Sequence, residues 1–210
     1  MVEGNQRHKR LRLLIKKLNT ERKKQAKKID ILCNDLIAAQ RNFIKRLNTI
    51  SFVANFYESI IGTTDLSGLL HAAAKLIKAE NADANVVFFL RQADNFELHM
   101  FESSRPIALD NQHLENCFSP ELMDNICKSN KVCTLDDMFA MGLQGNLVGL
   151  NRISAATIPL GLLGSSLGFV LVYRPSENKL IPDEIGNISA VTCGLSRAIA
   201  SCQALSRAAD

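Results

Sequence analysis

Apolar residues recur at alternating steps of three and four positions over a long N-terminal stretch of the chain. The series is Leu11, Ile15, Leu18, Ile29, Leu32, Leu36, Ala39, Phe43, Leu47, Ile50, Ala54, Tyr57 and Ile61. This spacing is typical of a coiled-coil seam, the stripe along which one helix packs on another. No proline or glycine interrupts it, so it predicts one helix roughly 75 Å long. A domain of the remaining size cannot cover such a stripe, and we expect a parallel homodimer.

The seam departs from regularity in two places. Arg22 and Gln25 occupy positions where apolar residues are expected, and the lysines around them repel one another across a parallel pair. This part of the helix pair should therefore open first. The steps Ala39 to Phe43 and Phe43 to Leu47 are both four residues long, which is a stutter that locally relaxes the supercoil.

Beyond Gly62 the pattern changes to short helices and strands. Asp65 precedes an amphipathic helix at 66–77, and the wholly apolar run 86–90 predicts a strand buried on both faces. Further strands are predicted at 96–102, 131–135, 153–160 and 167–173, the last two as a hairpin. Ser119, followed by a proline and a glutamate, predicts a helix start, and 113–117 predicts a helical turn.

The last helix starts at Pro182 and again places apolar residues three and four positions apart. We expect it to pack beside the N-terminal helix, and we assign its Ile188, Leu195 and Ile199 to the dimer interface. The complete predicted interface is Leu11, Ile15, Leu18, Ile29, Leu32, Leu36, Phe43, Leu47, Ile50, Tyr57, Ile61, Ile188, Leu195 and Ile199. Residues 1–62 form the predicted helical region and 63–210 the predicted globular domain.

Charge separates the two regions. Residues 1–50 carry 14 Lys or Arg against 4 Asp or Glu, whereas the other residues carry 11 against 17. The basic helix has three interpretations: a solvated coiled-coil surface, contact with anionic lipid, or contact with nucleic acid. No aromatic residue precedes Phe43, which argues against stacking on single-stranded bases. No signal peptide or membrane span is recognisable, and six cysteines without a CxxC pair favour free thiols in the cytoplasm.

The order of elements after residue 63 resembles a GAF domain. The resemblance rests on LSGLLHAAAKLI at 66–77, VVFFLR at 86–91, VCTLD at 132–136, and above all AATIPL at 155–160 followed by LGFVLV at 167–172. It implies an α+β fold with an antiparallel sheet of five to six strands, the terminal helices on one face and a ligand pocket on the other. GAF domains commonly dimerise through those helices and signal to an output domain. None follows Asp210, so we expect the signal to be received either by a separate output protein or by the N-terminal helix itself.

The resemblance places the pocket wall near Asp136 and Asp137. The candidate lining residues, chosen by fold analogy and side-chain type, are Phe88, Phe101, Phe118, Met123, Asp137, Met138, Phe139 and Thr157. Capping of the following short helix is the alternative role for the two aspartates. The bilin-binding motif of phytochrome-like members is missing. Asn178-Lys179 and Asp183-Glu184 imitate the cyclic-nucleotide pattern by chance, because their spacing is too short.

Two kinds of chemistry at the cysteines are weighed against simple burial. Cys117, Cys127 and Cys133, with His113, lack the paired spacing of a structural zinc site, so we expect no metal and no cofactor. A catalytic thiol, as in GAF-type reductases of free methionine sulfoxide, needs a neighbouring cation or helix N-terminus that the sequence does not locate. Buried thiols acting as small apolar side chains are the preferred interpretation.

The leading hypothesis is a non-enzymatic cytoplasmic regulator that binds a small molecule or partner and transmits its state through the terminal helices. The alternative is a structural adaptor with a GAF-like fold that has lost its ligand. A GAF-type thiol reductase comes last, since no nucleophile, base and orienting group share one motif.

Overall fold

The computed structural model of the protein describes residues 2–81, 83–92, 95–102, 114–162 and 164–209. The chain forms two compact units, Met1–Ile50 and Ser51–Asp210. Helix α1, Val2–Ile60, supplies the whole of the first unit and continues into the second. The predicted long helix is therefore confirmed, and the second unit starts before the predicted boundary at residue 62. Among the described residues no helix is long and apolar enough to cross a membrane.

The seam residues of the first unit are exposed to solvent. Between 45% and 69% of the residue surface is accessible at Leu11, Ile15, Leu18, Ile29, Leu32, Leu36, Phe43, Leu47 and Ile50. A helix makes its own backbone hydrogen bonds, but it cannot bury an apolar stripe on its own. The predicted stripe is thus present and uncovered within a single chain.

The second unit is built on a five-stranded antiparallel sheet, as predicted. Its strands are β1 Asn85–Gln92, β2 Asn95–Phe101, β3 Cys133–Thr134, β4 Ile153–Leu162 and β5 Ser165–Pro175, in the spatial order β2-β1-β5-β4-β3. The first six residues of β1 are buried, which confirms an interior strand covered on both faces. The predicted hairpin is β4 and β5, which pair from Ile153 with Pro175 to Leu162 with Ser165.

Three helices cover one face of the sheet: α2, Leu66–Glu80, α6, Pro182–Ala209, and the end of α1. Asp65 caps α2 by accepting a hydrogen bond from the Gly68 backbone N–H. Phe52, Phe56 and Ile60 of α1 are 5%, 0% and 7% exposed and pack with Phe88, Ile158 and Val170 of the sheet. This contact is why the second unit includes the end of α1.

The assignment of Ile188, Leu195 and Ile199 to a dimer interface is wrong. Ile188, Leu195 and Ile199 are 1%, 1% and 0% exposed, because they face the sheet within their own chain. Tyr57, another predicted interface residue, is half-buried against the same core and lies directly over Gly194 of α6. Ile61, in contrast, remains 78% exposed, and Ala54 is exposed as well.

The opposite face is covered by a 3-10 turn, Leu114–Cys117, and by helices α3, Pro120–Ser129, α4, Leu135–Ala140, and α5, Leu147–Leu150. Ser119 caps α3 through a hydrogen bond from the Leu122 N–H, which confirms the predicted helix start. The side chains of Val87, Phe89, Phe169, Leu171 and Tyr173 project from the sheet into this second core.

A partly buried ion pair holds the start of α6 against β5. The Arg174 guanidinium is 2.7 Å from Glu184 Oε2 and also donates to the backbone carbonyls of Asn178 and Lys179. Glu184 accepts a hydrogen bond from the Ile181 N–H as well. The residues that imitate a cyclic-nucleotide pattern therefore have a structural role here.

Candidate functional site

The eight predicted pocket residues do not form one pocket. Phe88 and Phe101 lie on the face covered by α2 and α6, where their rings contact each other edge to face at 5.9 Å. Phe118, Met123, Met138 and Phe139 pack on the opposite face. Because alternate residues of a strand point to opposite sides, Phe89 rather than Phe88 faces the predicted pocket. The placement of Phe88 and Phe101 in the pocket is wrong.

Aromatic side chains fill the predicted pocket face. Phe89 stacks on Phe169 with ring centroids 4.6 Å apart and on Phe118 at 5.2 Å. Met138 of α4 is fully buried in the same cluster. Thr157 of β4 is also fully buried, paired in register with Cys133. These side chains close the centre of this face.

Asp137 caps a helix and does not line a pocket. Its Oδ2 accepts hydrogen bonds from the backbone N–H of Thr134 at 2.8 Å and from the Thr134 hydroxyl at 2.7 Å. These bonds lower the pKa of the Asp137 carboxyl. The Thr134 hydroxyl in turn accepts from the Asp137 N–H, which completes a capping box at the start of α4. The assignment of Asp137 to the pocket is wrong, and its alternative role as a helix cap is confirmed.

A cavity of about 470 Å³ lies between the end of α3, the turn of the β4–β5 hairpin and α6; we call it the hairpin cavity. Its walls carry cations, hydroxyls and thiols. The lining residues are Arg91, Cys127, Lys128, Asn130, Pro159, Gly161, Gly164, Ser165, Ser166, Thr192 and Cys193. Arg91 is paired with Asp124 and lies over the Phe96 ring. Such a polar, partly cationic lining suits a small polar or anionic molecule.

A larger cavity of about 830 Å³ lies beside the 3-10 turn and the start of α3. It is lined by Asn116, Cys117, Phe118, Ser119, Pro120, Glu121, Gln144, Gly145, Asn146 and Leu150. Phe118 is the one predicted candidate that reaches either of these two cavities; Met123, Met138, Phe139 and Thr157 line neither.

A buried carboxyl–phenol pair joins the 3-10 turn to the central strand. The Tyr173 hydroxyl donates to Glu115 Oε2 at 2.8 Å, and both side chains are at least 95% buried. Burial, together with the charge of Glu115, raises the pKa of Tyr173 well above its ordinary value. Neither residue was singled out from the sequence, because a strand tyrosine and a lone glutamate carry no pattern that links them.

We expect the stability of the protein to fall at alkaline pH because of Tyr173. A raised pKa means that the unfolded chain releases the phenol proton first, so this contribution is present below about pH 10 and is lost above it. Tyr173→Phe should reduce the alkaline loss of stability and leave the part that comes from thiols whose pKa is raised by burial, such as Cys127. It should also cost about 1–3 kcal/mol at neutral pH, since Glu115 loses a buried donor. Denaturant unfolding across the alkaline range measures both effects. An alkaline slope of Tyr173→Phe equal to that of the wild type would contradict the assignment.

Burial disfavours the thiolate form of Cys127 and of Cys117. Burial raises the pKa of Cys127, outweighing the hydrogen bond from Ser166, and burial with the charge of Glu115 raises that of Cys117. Cys127 and Cys133 are buried, as predicted, and Cys117 is partly buried, whereas Cys33 and Cys193 are exposed free thiols. No cluster of three potential metal ligands occurs among the described residues, and His113 lies outside them.

No protein-family model matches the chain, and no curated protein matches its sequence. Solved structures do match its fold. The GAF domain of a phosphoenolpyruvate-protein phosphotransferase from Acinetobacter has a TM-score of 0.56 at 12% identity, covering 76% of this chain and 97% of that one. The corresponding GAF domain from Coxiella burnetii has a TM-score of 0.54 at 13% identity, covering 77% and 98%. A GAF domain/HD domain protein from Geobacter sulfurreducens has a TM-score of 0.52 at 11% identity, covering 67% and 95%.

The fold is therefore GAF-like, and the resemblance stated from the sequence is confirmed at the level of fold.

Proposed function

We propose that this GAF-like chain is a dimeric, non-enzymatic regulatory protein of the cytoplasm, in which a second copy covers the seam of α1. One observation carries the proposal: a regular series of large apolar residues on α1 is at least 45% exposed within one chain. Burying a leucine or isoleucine side chain contributes about 1.5–3 kcal/mol, so leaving the series uncovered forgoes a large stabilisation.

The end of α1 supports a second copy as the occupant. Phe52 and Phe56 occupy one side of the helix and are buried in their own core. Ala54 and Ile61 continue the seam on another side and stay exposed. The end of α1 therefore packs one face on the sheet of its own chain and leaves another face exposed. A heptad-like seam is complementary to an identical seam, which is the physical basis of a parallel pair.

Two contacts within the second unit support regulation through the helices. The end of α1 and α6 pack on the same sheet face, where Tyr57 lies so close to Gly194 that a β-carbon there would come within 2.0 Å of the Tyr57 ring. Thr192 and Cys193, adjacent to Gly194, line the hairpin cavity. A small polar ligand in that cavity would contact α6 one residue from the Tyr57 contact, and it would favour one of two arrangements of these helices.

The ligand part of the proposal can be tested through Cys193. We expect a bound molecule to slow the reaction of the exposed Cys193 thiol with a thiol reagent, in a Cys33→Ser background that removes the other exposed cysteine. The probes are a panel of nucleotides, sugar phosphates and dicarboxylates. Lys128→Ala should abolish the protection, because Lys128 supplies a cation to the lining. Lys131→Ala is the matched control, since this exposed lysine lies outside the lining.

The structural adaptor is the second candidate, and the stacked phenylalanines favour it. Phe89, Phe118 and Phe169 fill the face where the resemblance implies a ligand. If no probe protects Cys193, or if protection survives Lys128→Ala, the ligand-sensing proposal fails and the adaptor is preferred. A separate output protein is part of the regulatory proposal, and affinity capture with the wild-type dimer would identify it.

A further inference from the structure

The N-terminal part of α1 combines an apolar stripe with a strongly basic face. Leu11, Leu14, Ile15 and Leu18 recur at helical spacing, and each is 53–66% exposed. The other side of the same turns carries Lys9, Arg10, Arg12, Lys16 and Lys17, all exposed. We call residues 7–20 the basic amphipathic segment. This arrangement is typical of helices that lie in the plane of a membrane surface.

The charge of this part of the helix disfavours pairing with an identical helix. Residues 7–28 carry eleven Lys or Arg and one acidic residue, Glu21, which pairs with Lys24 at 3.1 Å. In a parallel dimer these positive charges lie beside their own copies, and their repulsion opposes association. Arg22 and Gln25 also separate the segment from the regular seam that resumes at Ile29, so in this inference the second copy covers the seam from Ile29 onward and leaves Leu11, Ile15 and Leu18 free.

We propose that the basic amphipathic segment binds the surface of an anionic lipid membrane. The cations gain from the negative potential of the headgroups, and the apolar stripe enters the boundary with the acyl chains. Nucleic acid would pair with the positive charges, but its charged phosphate backbone would leave the leucines without an apolar partner. In addition, no aromatic residue precedes Phe43 to stack on bases. An anionic membrane is the partner that satisfies both sides of the helix.

The test uses the full-length protein and vesicles of phosphatidylcholine, with or without phosphatidylserine. We expect binding to the mixed vesicles that weakens steeply with added salt, and little binding to phosphatidylcholine alone. Leu14→Gln should weaken vesicle binding about tenfold, because it removes one leucine from the stripe. Leu14 lies outside the dimer seam, so the subunit number should not change.

Leu13→Gln is the matched control. Leu13 is 67% exposed and adjacent to Leu14, which is 66% exposed, but it lies on the basic side of the helix. We expect it to retain vesicle binding. Equal losses in the two variants, no binding to phosphatidylserine vesicles, or tighter binding to duplex DNA or RNA than to these vesicles would each overturn the proposal. A monomeric protein would contradict the proposed dimer without affecting this inference.

Discussion

Gly168→Ala should destabilise the second unit by about 3 kcal/mol or more, which corresponds to a fall of about 10 °C in melting temperature. Gly168 lies in β5 opposite Leu90 of the interior strand β1 and has a φ of +134°. A β-carbon there would come 1.8 Å from the backbone carbonyl oxygen of Phe89. Neither the backbone angle nor the contact tolerates a side chain, so the β1–β5 pairing has to separate locally.

Gly186→Ala serves as the control for this substitution. Gly186 lies in α6 with no atom within 4 Å of the added methyl group, so we expect a gain of about 0.5–1 kcal/mol from helix propensity. Differential scanning calorimetry of the two variants and the wild type gives the comparison. A melting temperature of Gly168→Ala equal to that of the wild type would refute the close approach of β1 and β5.

Leu36→Lys should convert the dimer to a monomer. Leu36 is 69% exposed within one chain, so its replacement has little effect on the fold of that chain. In the dimer it removes two buried leucines, worth about 1.5–3 kcal/mol each, and it introduces two facing charges. The dissociation constant should rise by about a hundredfold or more. Sedimentation equilibrium over a range of protein concentrations measures this change.

Asn34→Lys adds the same charge to the same turn on a different side of the helix. Residues two positions apart on a helix do not share a face, and Asn34 is exposed outside the seam. We expect its dissociation constant to stay within a few-fold of the wild type. Equal weakening by both variants would show that net charge, rather than burial of the seam, controls the association.

Local sequence patterns predicted most of the helices and strands, because the interactions that start a helix or bury a strand depend on residues close together in the sequence. Ser119 caps the start of α3 and Asp65 caps the start of α2. In each case the side chain accepts a hydrogen bond from the backbone N–H three residues later. The apolar run 86–90 predicted an interior strand, since such a run can be satisfied only by cover on both faces. Thr134 and Asp137, a threonine and an acidic residue three positions apart, also match the sequence pattern of a capping box, although Asp137 is assigned to the pocket in the sequence-based prediction.

The pocket could not be predicted in the same way. A strand buried on both faces has no polar side, so the sequence does not tell whether Phe88 or Phe89 faces the helices. The hairpin cavity joins Lys128, Ser165 and Cys193 from distant parts of the chain, and no local pattern links them. Gly161 and Gly164, in the turn between β4 and β5, are the one feature of the sequence that marks the position of this cavity, and they indicate a turn rather than a binding site.

The end of α1 shows a further limit of periodicity. Ala54 and Ile61 follow the seam, whereas Phe52, Phe56 and Ile60 form a second apolar side at the same spacing. Helical spacing reveals that two faces exist but not which partner covers each. The same ambiguity led to the wrong assignment of Ile188 and Leu195 on α6, whose apolar side faces the sheet of its own chain.

The most direct test of the account is disulfide formation at the seam. Leu36→Cys in a background with Cys33→Ser and Cys193→Ser, which removes both exposed thiols, should form a covalent dimer in mild oxidant at low protein concentration, because identical seam positions lie face to face in a parallel pair. Asn34→Cys in the same background should remain largely monomeric under denaturing electrophoresis. Efficient cross-linking of Leu36→Cys alone is the predicted result. Absence of the Leu36→Cys cross-link, or equal cross-linking at position 34, would contradict a parallel dimer built on α1.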